Sequence, residues 1–405
     1  MNQSIPGTLL LDPEVVDDPY PFYRQLHRHA PVWQVPGTDL FIVSSFAMIA
    51  EAVARVEDFS SNLNFLLYRD EEGIPRPFSF GASGGTLATA DPPVHTLHRR
   101  VVFPELVARR MAALEPEIAD MAAECVGQAV DERAFDFMAD VGNVVPIAVI
   151  SHLIGFRDSD PHVLLRAATD STAMFGAMVS REQLLALIAR VGDIGAWIAD
   201  QLASAGDHPR DDILGTIARG IESDELRVDE GIIILHTLLS AGGESTTSLL
   251  GNAVRLLAED RDLQERIRRD PDLVPAFIEE ALRLESPFRY LTRFVPNSTA
   301  LGATDIPAGA TMLLFWGAAN RDPTEYERPD EIVLDRPTPR HHVAFGRGIH
   351  HCVGAPLARL EARIVLTMLL HETSSIALDP EHPPRWVESL LVRRHQELRV
   401  HVVPR

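Results

Sequence analysis

The stretch "AFGRGIHHCVG" (344–354) holds Cys352, one of only two cysteines in the chain, among three glycines and several basic side chains. It runs into "VGAPLARLEARIVLTMLL" (353–370), which has helical spacing and a proline, Pro356, in its first turn, where a missing N–H costs little. Unpaired backbone N–H groups and the helix dipole favour a thiolate at such a helix start. Glycines near the sulfur allow positive φ angles or close approach to a flat group. We therefore expect Cys352 to act as a ligand or a nucleophile.

The residues of this stretch also permit three alternatives. It could be a glycine-rich turn around a buried free cysteine. It could be a zinc site, although no second cysteine completes a usual structural set for the nearby His341, His342, His350 and His351. A Cys–His hydrolase is also possible.

The composition indicates a packed globular protein, with 46% hydrophobic and 23% charged residues in 405. The formal net charge of −21 opposes binding to nucleic acid and to anionic lipid. The start of the chain has no signal-peptide pattern, and no apolar run reaches the roughly 18 residues of a membrane span. We expect a cytoplasmic protein without a disulfide, in which Cys125 is a small core residue.

The periodicity predicts a fold that is mainly α with small β-sheets. Apolar residues recur at helical intervals over 94–258, and a further helix is expected at about 272–285. Short extended runs occur at 40–45 and 298–316, 389–403 alternates like a hairpin, and 61–90 resembles a long loop. No repeat or linker interrupts the chain, so we expect one domain over 1–405.

A second motif lies in "LHTLLSAGGESTTSLLGNAVRLLAED" (235–260), where two glycines interrupt an apolar helix. Ala241 and these glycines would let a ligand lie against the helix, while Glu244, Ser245 and Thr246 could hold water and relay protons. A polar stripe packed on a neighbouring helix is the competing interpretation.

Two charged pairs are weaker signals. Glu280 and Arg283, in "FIEEALRLESP" (277–287), share one helix face, where a surface ion pair is the ordinary meaning. His95 and Arg99, in "DPPVHTLHRR" (91–100), lie four apart at a helix start and could together hold a carboxylate or simply be solvated.

Together, these motifs resemble those of the cytochrome P450 family, in their order and over essentially the whole chain. "FGRGIHHCVG" fits the family's haem-binding signature Phe-x-x-Gly-x-[Arg/His]-x-Cys-x-Gly. The resemblance implies the P450 fold, with haem b between a long central helix and the cysteine loop, and Cys352 as the axial thiolate of the iron. It also implies two sets of haem contacts: Phe345, Gly354 and Ala241 against the macrocycle, and His95, Arg99, Arg293 and His350 toward its propionates.

The implied reaction is monooxygenation, in which one atom of O2 enters a C–H or C=C bond of a small apolar substrate. Glu244, Ser245 and Thr246 would deliver protons. Electrons would come from NAD(P)H through a separate ferredoxin and ferredoxin reductase, and a basic patch of Arg100, Arg109, Arg110, Arg347 and Arg359 could dock the ferredoxin. We expect a monomer that acts in secondary metabolism. A peroxide-driven peroxygenase and a non-catalytic haem-thiolate binding protein are the alternatives.

The same resemblance assigns the substrate pocket to residues 61–90, 171–180, 237–245, 288–292 and 389–392. Two positions depart from the family pattern. Ser245 stands where the family usually has threonine, and a serine lacks the methyl group that restrains the rotamer. Glu331 stands where the family often has an arginine that pairs with the Glu-x-x-Arg motif, and Arg336 is the candidate substitute.

Overall fold

The structure is a computed structural model that describes residues 5–79, 85–106, 108–156, 159–207 and 210–405. Helices dominate it, as predicted. The α-helices of this part of the chain are α1 Pro13–Asp17, α2 Tyr20–His29, α3 Phe46–Ala54, α4 Val94–Val102, α5 Ala108–Glu132, α6 Val144–Ile154, α7 Pro161–Met174, α8 Arg181–Asp207, α9 Ile213–Glu222, α10 Val228–Glu259, α11 Arg261–Arg269, α12 Val274–Leu284, α13 Trp316–Ala319 and α14 Ala355–Glu372.

The strands are short and form small sheets. They are β1 Val32–Gln34, β2 Leu40–Val43, β3 Phe65–Arg69, β4 Pro75–Ser79, β5 Ala134–Asp136, β6 Leu291–Phe294, β7 Thr299–Leu301, β8 Thr304–Ile306, β9 Thr311–Leu314, β10 Thr373–Leu378, β11 Arg385–Trp386, β12 His395–Glu397 and β13 Arg399–Pro404. One sheet has the order β1-β2-β9-β6, with β2 and β9 parallel and Leu40 opposite Thr311. A second has the order β10-β13-β5, and the other strands pair in twos as β3-β4, β7-β8 and β11-β12.

Two sequence predictions were wrong in this part of the fold. Residues 61–90 were expected to be a loop, but they contain the β3-β4 hairpin. Residues 389–403 were expected to form a hairpin with themselves. Instead β12 pairs with β11, while β13 pairs with β10 and β5, which lie elsewhere in the sequence.

Helix α10 is central to the fold, because it contacts α6, α7, α8, α12 and α14. Its 32 residues span about 48 Å. The two glycines do not interrupt it, contrary to the sequence expectation. They let α6 approach instead: a Cβ on Gly242 would lie 2.8 Å from the Ile150 side chain, and one on Gly243 would lie 3.0 Å from Ile147.

Cys125 lies on α5, partly buried against the core, and Cys352 precedes α14. Both cysteines are free, as predicted. In the described part of the chain, no helix is both long enough and apolar enough to cross a membrane.

Candidate active site

A cavity lies between the middle of α10 and the loop that carries Cys352. Its α10 wall is formed by Leu238, Ala241, Gly242, Ser245, Thr246 and Leu249. The opposite wall is formed by Phe345, Gly346, Cys352, Val353, Gly354 and Leu357. The cysteine motif and the glycine-containing helix motif, more than 90 residues apart in sequence, therefore face each other across one space.

The Cys352 loop is shaped by its glycines. Gly346 and Gly348 have φ angles of +68° and +70°, in the left-handed region that favours glycine. A Cβ on Gly354 would lie 3.8 Å from the Cys352 sulfur, so this glycine keeps the space beside the sulfur clear. The Cys352 N–H donates to the Phe345 carbonyl at 2.9 Å, which closes the loop. The Cys352 side chain opens to the cavity, deep inside the protein rather than on its outer surface.

The electrostatic prediction for Cys352 is only partly met. Burial raises the pKa of the thiol, whereas the N–H groups of Gly354 and Ala355 and the guanidinium of Arg99 act in the opposite direction. The helix start thus supplies the expected donors, but burial outweighs them. A cation bound at the sulfur would supply the charge that a stable thiolate requires.

Four basic side chains gather at one edge of the cavity, on α4, β6 and the cysteine loop. The rings of His95 and His350 lie 4.1 Å apart, and Arg99 donates to the carbonyl of Ile349 at 3.0 Å. Burial and the neighbouring His95, Arg293 and Arg99 lower the pKa of His350 to about 3. Burial lowers the pKa of Arg293 to about 10. Four basic groups this close together cannot all carry charge at low cost unless an anion joins them.

None of these four side chains pairs with a carboxylate in the described residues, and the buried Nε2 of His350 has no hydrogen-bond partner there. The residues present therefore fit a flat group with acidic substituents. Its face would meet small residues and a sulfur, and its acids would meet His95, Arg99, Arg293 and His350.

The polar residues of α10 point in different directions. Ser245 and Thr246 line the cavity, and the Ser245 hydroxyl donates to the Ala241 carbonyl at 2.6 Å. Thr247 donates to Gly142 at 2.8 Å, so the competing interpretation of a stripe packed on a neighbouring element holds for this residue.

Glu244 is buried and is not part of the cavity wall. Its Oε1 lies 2.9 Å from Nε of Arg394, and that guanidinium also donates to Asn143 at 3.2 Å. The geometry is that of an ion pair rather than an aligned hydrogen bond, and Oε2 of Glu244 has no partner in the described part. Burial raises the pKa of Glu244, and Arg394 partly offsets this increase.

The comparisons with known proteins agree with this geometry. The sequence model of the family described as Cytochrome P450 matches residues 200–400 of this chain. Cytochrome P450 144 of Mycobacterium tuberculosis is 40% identical over 392 residues, which cover 96% of this chain and 90% of that protein. The chain belongs to the cytochrome P450 family. It is therefore a monooxygenase whose cofactor is haem b, with NAD(P)H supplying electrons through redox partners, as the sequence analysis predicted.

Other P450s resemble the chain over nearly its whole length. The beta-dihydromenaquinone-9 omega-hydroxylase of Mycobacterium bovis is 31% identical and covers 97% of this chain and 78% of its own. A crystal structure of CYP109E1 from Bacillus megaterium in complex with testosterone has a TM-score of 0.86 at 28% identity, covering 96% of this chain and 99% of that one. The P450 fold predicted from the motifs is confirmed.

The family excludes the zinc and hydrolase interpretations of Cys352, and the geometry also argues against zinc. Among the described residues no group of three or more His, Cys, Asp or Glu side chains could hold a metal ion. His341 pairs with Glu325 and His342 with Glu279, each through Nε2.

The Glu-x-x-Arg pair of this P450 is buried, not a surface pair. Glu280 and Arg283 are each 1% exposed and joined by two hydrogen bonds of 2.8 and 3.0 Å. Arg336 donates to Glu280 at 2.9 Å, whereas the Glu331 side chain lies near Arg328 at 3.7 Å. Arg336 thus supplies the arginine partner of Glu280 that Glu331 cannot provide.

Sequence reasoning missed Arg394 and a buried cluster around Glu285, just after α12. Glu285 pairs with Arg255 at 2.7 Å and Arg393 at 3.0 Å, and it accepts from Tyr20. These cations hold the pKa of Glu285 at about 2, against a burial that alone would raise it. The signal for both was the pair of arginines at 393–394 directly after the apolar "SLLV", because an apolar context predicts burial.

Proposed function

We propose that this P450 inserts one atom of O2 into a C–H or C=C bond of a small apolar molecule, with Cys352 as the thiolate ligand of the haem iron. The observation that carries this proposal is the Cys352 sulfur, open to the cavity opposite Ala241. Phe345 and Gly354 would pack against the haem beside the sulfur, and Ala241 would face it from α10. When bound, the haem supplies the activation of O2.

We propose that the four basic side chains at the cavity edge hold the haem propionates. His95 and Arg99 reach this edge from α4, Arg293 from β6 and His350 from the cysteine loop. A carboxylate beside them would relieve their mutual repulsion and would restore the lowered pKa of His350 toward its ordinary value.

Ser245, Thr246 and Glu244 are the proposed proton carriers. The Ser245 hydroxyl lies on the cavity wall and donates a hydrogen bond to the Ala241 carbonyl, which leaves the lone pairs of its oxygen free to accept a hydrogen bond from water in the cavity. Thr246 offers a second hydroxyl on the same wall. Glu244 lies behind them, and its partner Arg394 has a side chain that is 12% exposed. Glu244 would therefore receive protons from the solvent side and pass them to water beside Ser245.

The cavity wall favours an apolar substrate. Its side chains away from Cys352 include Leu87, Ile150, Leu238, Phe288 and Leu291. These come from three of the five predicted stretches and from α6. Residues 171–180 and 389–392 were also predicted to line the pocket but are not part of the wall of this cavity. The two segments contact each other, since the Leu390 N–H donates to the Gly176 carbonyl at 2.8 Å. The relatives named for menaquinone hydroxylation and for a testosterone complex also act on or bind apolar molecules.

A role in secondary metabolism remains our proposal, and the cytoplasmic location, the monomeric state and the single domain remain predictions.

The electron donor is proposed to be a ferredoxin served by a ferredoxin reductase. Two of the five arginines predicted to dock it, Arg100 and Arg359, pair with carboxylates of this chain. Arg100 pairs with Glu225 at 2.8 Å, and Arg359 pairs with Glu279 at 2.6 Å. Arg347 is exposed, and the side chains of Arg109 and Arg110 lie outside the described part of the structure.

The experiment that tests the proposed function is a CO difference spectrum of the purified, dithionite-reduced protein. A strongly red-shifted Soret band supports thiolate ligation, and Cys352→Ser should abolish that band while leaving the fold intact by circular dichroism. A band typical of histidine-ligated haem in the parent protein would refute the assignment of Cys352.

The peroxide-driven alternative keeps one observation in its favour, because the Glu244 carboxylate does not line the cavity. Product formation with H2O2 alone and with the full electron-transfer chain separates the two reactions. Comparable rates would favour the peroxygenase. A rate at least about tenfold higher with the electron-transfer chain would support the O2 reaction.

A further inference from the structure

Glu279 has no part in the reaction proposed above, yet it is among the most heavily contacted carboxylates in the described part of the chain. It lies on α12 and is 4% exposed. Three cationic or basic side chains surround it: Arg359 at 2.6 Å, His342 at 2.8 Å and the exposed Arg340 at 3.6 Å. Although burial alone would raise the pKa of Glu279, the hydrogen bonds from His342 and Arg359 hold it at about 2. The carboxylate is therefore charged at any physiological pH.

The first connection from Glu279 leads to the start of the cysteine loop. The backbone N–H of Ala344 donates to Nδ1 of His342 at 3.2 Å, so the proton of the neutral ring lies on Nε2 and is donated to Glu279. The next residue is Phe345, whose carbonyl accepts from the Cys352 N–H at 2.9 Å. Through His342, Glu279 thus fixes the backbone segment 342–345, whose Phe345 carbonyl accepts the hydrogen bond from Cys352.

The second connection leads to the helix that follows the sulfur. Arg359, on α14, donates Nε to one Glu279 oxygen at 2.6 Å and Nη2 to the other at 2.9 Å. The centre of the same guanidinium lies 4.4 Å from the centroid of the Phe345 ring. A two-point contact of this kind sets orientation as well as distance. Glu279 is therefore connected to the chain on both sides of Cys352, to the start of the cysteine loop before it and to α14 after it.

We propose that Glu279 is a positioning residue for the Cys352 sulfur, because it clamps the start of the cysteine loop through His342 and the following helix through Arg359. The inference rests on the proposed ligation of haem by Cys352. Loss of the carboxylate leaves Arg359 and His342 without their shared acceptor, and the loop then holds the sulfur less firmly against the iron.

The test uses the haem-loaded, full-length protein and the variant Glu279→Gln. The measured quantity is the rate at which the ferrous–CO complex loses its red-shifted Soret band and gains the unshifted one, in urea at half of each protein's own unfolding midpoint. We expect this rate to rise at least about tenfold in the variant. A rate within about twofold of the parent would overturn the proposal.

Glu285→Gln is the matched control. Glu285 is also buried, also surrounded by arginines, and also has its pKa held at about 2. Its partners Arg255, Arg393 and Tyr20 lie outside the cysteine loop and α14. We expect its conversion rate to stay within about twofold of the parent. An equal acceleration in both variants would show that any buried carboxylate of this region has the effect, which would overturn a specific role for Glu279.

Arg359→Lys gives a second, milder test, which decides the matter if Glu279→Gln does not fold. Lysine keeps the charge but loses the two-point contact and the stacking on Phe345. We expect an acceleration of about threefold, and a rate equal to that of the parent would overturn the proposal. Absence of the red-shifted band in the parent itself would instead refute the ligation by Cys352, so the two failures can be told apart.

Discussion

Replacing Arg394 with glutamine should destabilise the protein in a way that depends on pH. The substitution removes the cation that lies 2.9 Å from the buried Glu244 carboxylate. Removing one partner of a buried ion pair typically costs about 3–5 kcal/mol. The folded variant can limit this cost by protonating Glu244. From an ordinary pKa of 4.5, protonation at pH 7 costs about 3 kcal/mol. The parent already bears part of this cost, because its own Glu244 pKa is raised, so we expect the free energy of unfolding to fall by at most about 3 kcal/mol at pH 7.

The sign of the pH dependence follows from the same carboxyl group. Burial raises the pKa of Glu244 in the folded protein, and loss of Arg394 raises it further. A carboxyl whose pKa is higher in the folded than in the unfolded state takes up a proton on folding, so the variant becomes less stable as the pH rises above 4.5. The parent follows the same trend only up to its own raised Glu244 pKa, so the deficit should be larger at pH 7 than at pH 5 and should grow by at most about 1.4 kcal/mol for each pH unit.

Urea unfolding of the haem-loaded proteins, followed by far-UV circular dichroism at pH 5, 6 and 7, measures this deficit. In a Glu244→Gln background no carboxyl titrates at this position, and Arg394→Gln should there have an effect that is the same at each pH. A deficit in the single variant that is equal at pH 5 and pH 7 would refute the reasoning.

Three further outcomes are expected. Ser245→Ala should uncouple NAD(P)H consumption from product formation, because the cavity wall loses the hydroxyl of the proposed relay, whereas Ser245→Thr should keep the coupling. The measurement is product formed per NAD(P)H consumed, and a ratio in the alanine variant equal to that of the parent would contradict the proposed role of Ser245. Arg336→Gln should lower the free energy of unfolding by about 2–3 kcal/mol, because Glu280 keeps Arg283 but loses a second buried partner. Glu331→Gln should change it by less than about 0.5 kcal/mol, since that side chain is 64% exposed; urea titrations compare the two, and equal losses would contradict the assignment of Arg336. Gly346→Ala should cost about 1–2 kcal/mol in the same assay because its φ is +68°, and an unchanged midpoint would show that the loop relaxes.

The parts of this fold that could be predicted from the sequence depend on local interactions. Pro356 in the first turn of α14 and the positive φ of Gly346 and Gly348 are properties of neighbouring residues, so the shape of the cysteine loop could be read directly. The same holds for the long helices, whose apolar periodicity survives any tertiary arrangement. The alternation at 389–403 shows only that strands are present, since their partners β10, β11 and β5 are chosen by tertiary packing.

Buried charges were harder to predict because their partners come from distant elements. Glu280 and Arg283 form a pair that any helix would bring together, yet only the fold shows that both are buried and that Arg336 joins them. Likewise the sequence around Glu279 does not distinguish it from Glu280, because its partners follow Glu279 by more than 60 residues. A carboxylate in an apolar helix predicts that some cation will meet it, but not which one.

The orientation of Glu244, however, follows from helix geometry once one neighbour is placed. Consecutive residues of an α-helix point about 100° apart, whereas residues four apart share a face. Ala241 and Ser245 are four apart and both line the cavity, as do Leu238, Gly242 and Leu249 on the same stripe. Glu244 is therefore directed to the side of the helix, where Arg394 and Asn143 meet it. Thr246 still falls within this stripe, whereas Glu244 lies beyond its opposite edge. A relay that joins Glu244 to Ser245 must therefore change direction around the helix, at the place where Arg394 pairs with Glu244.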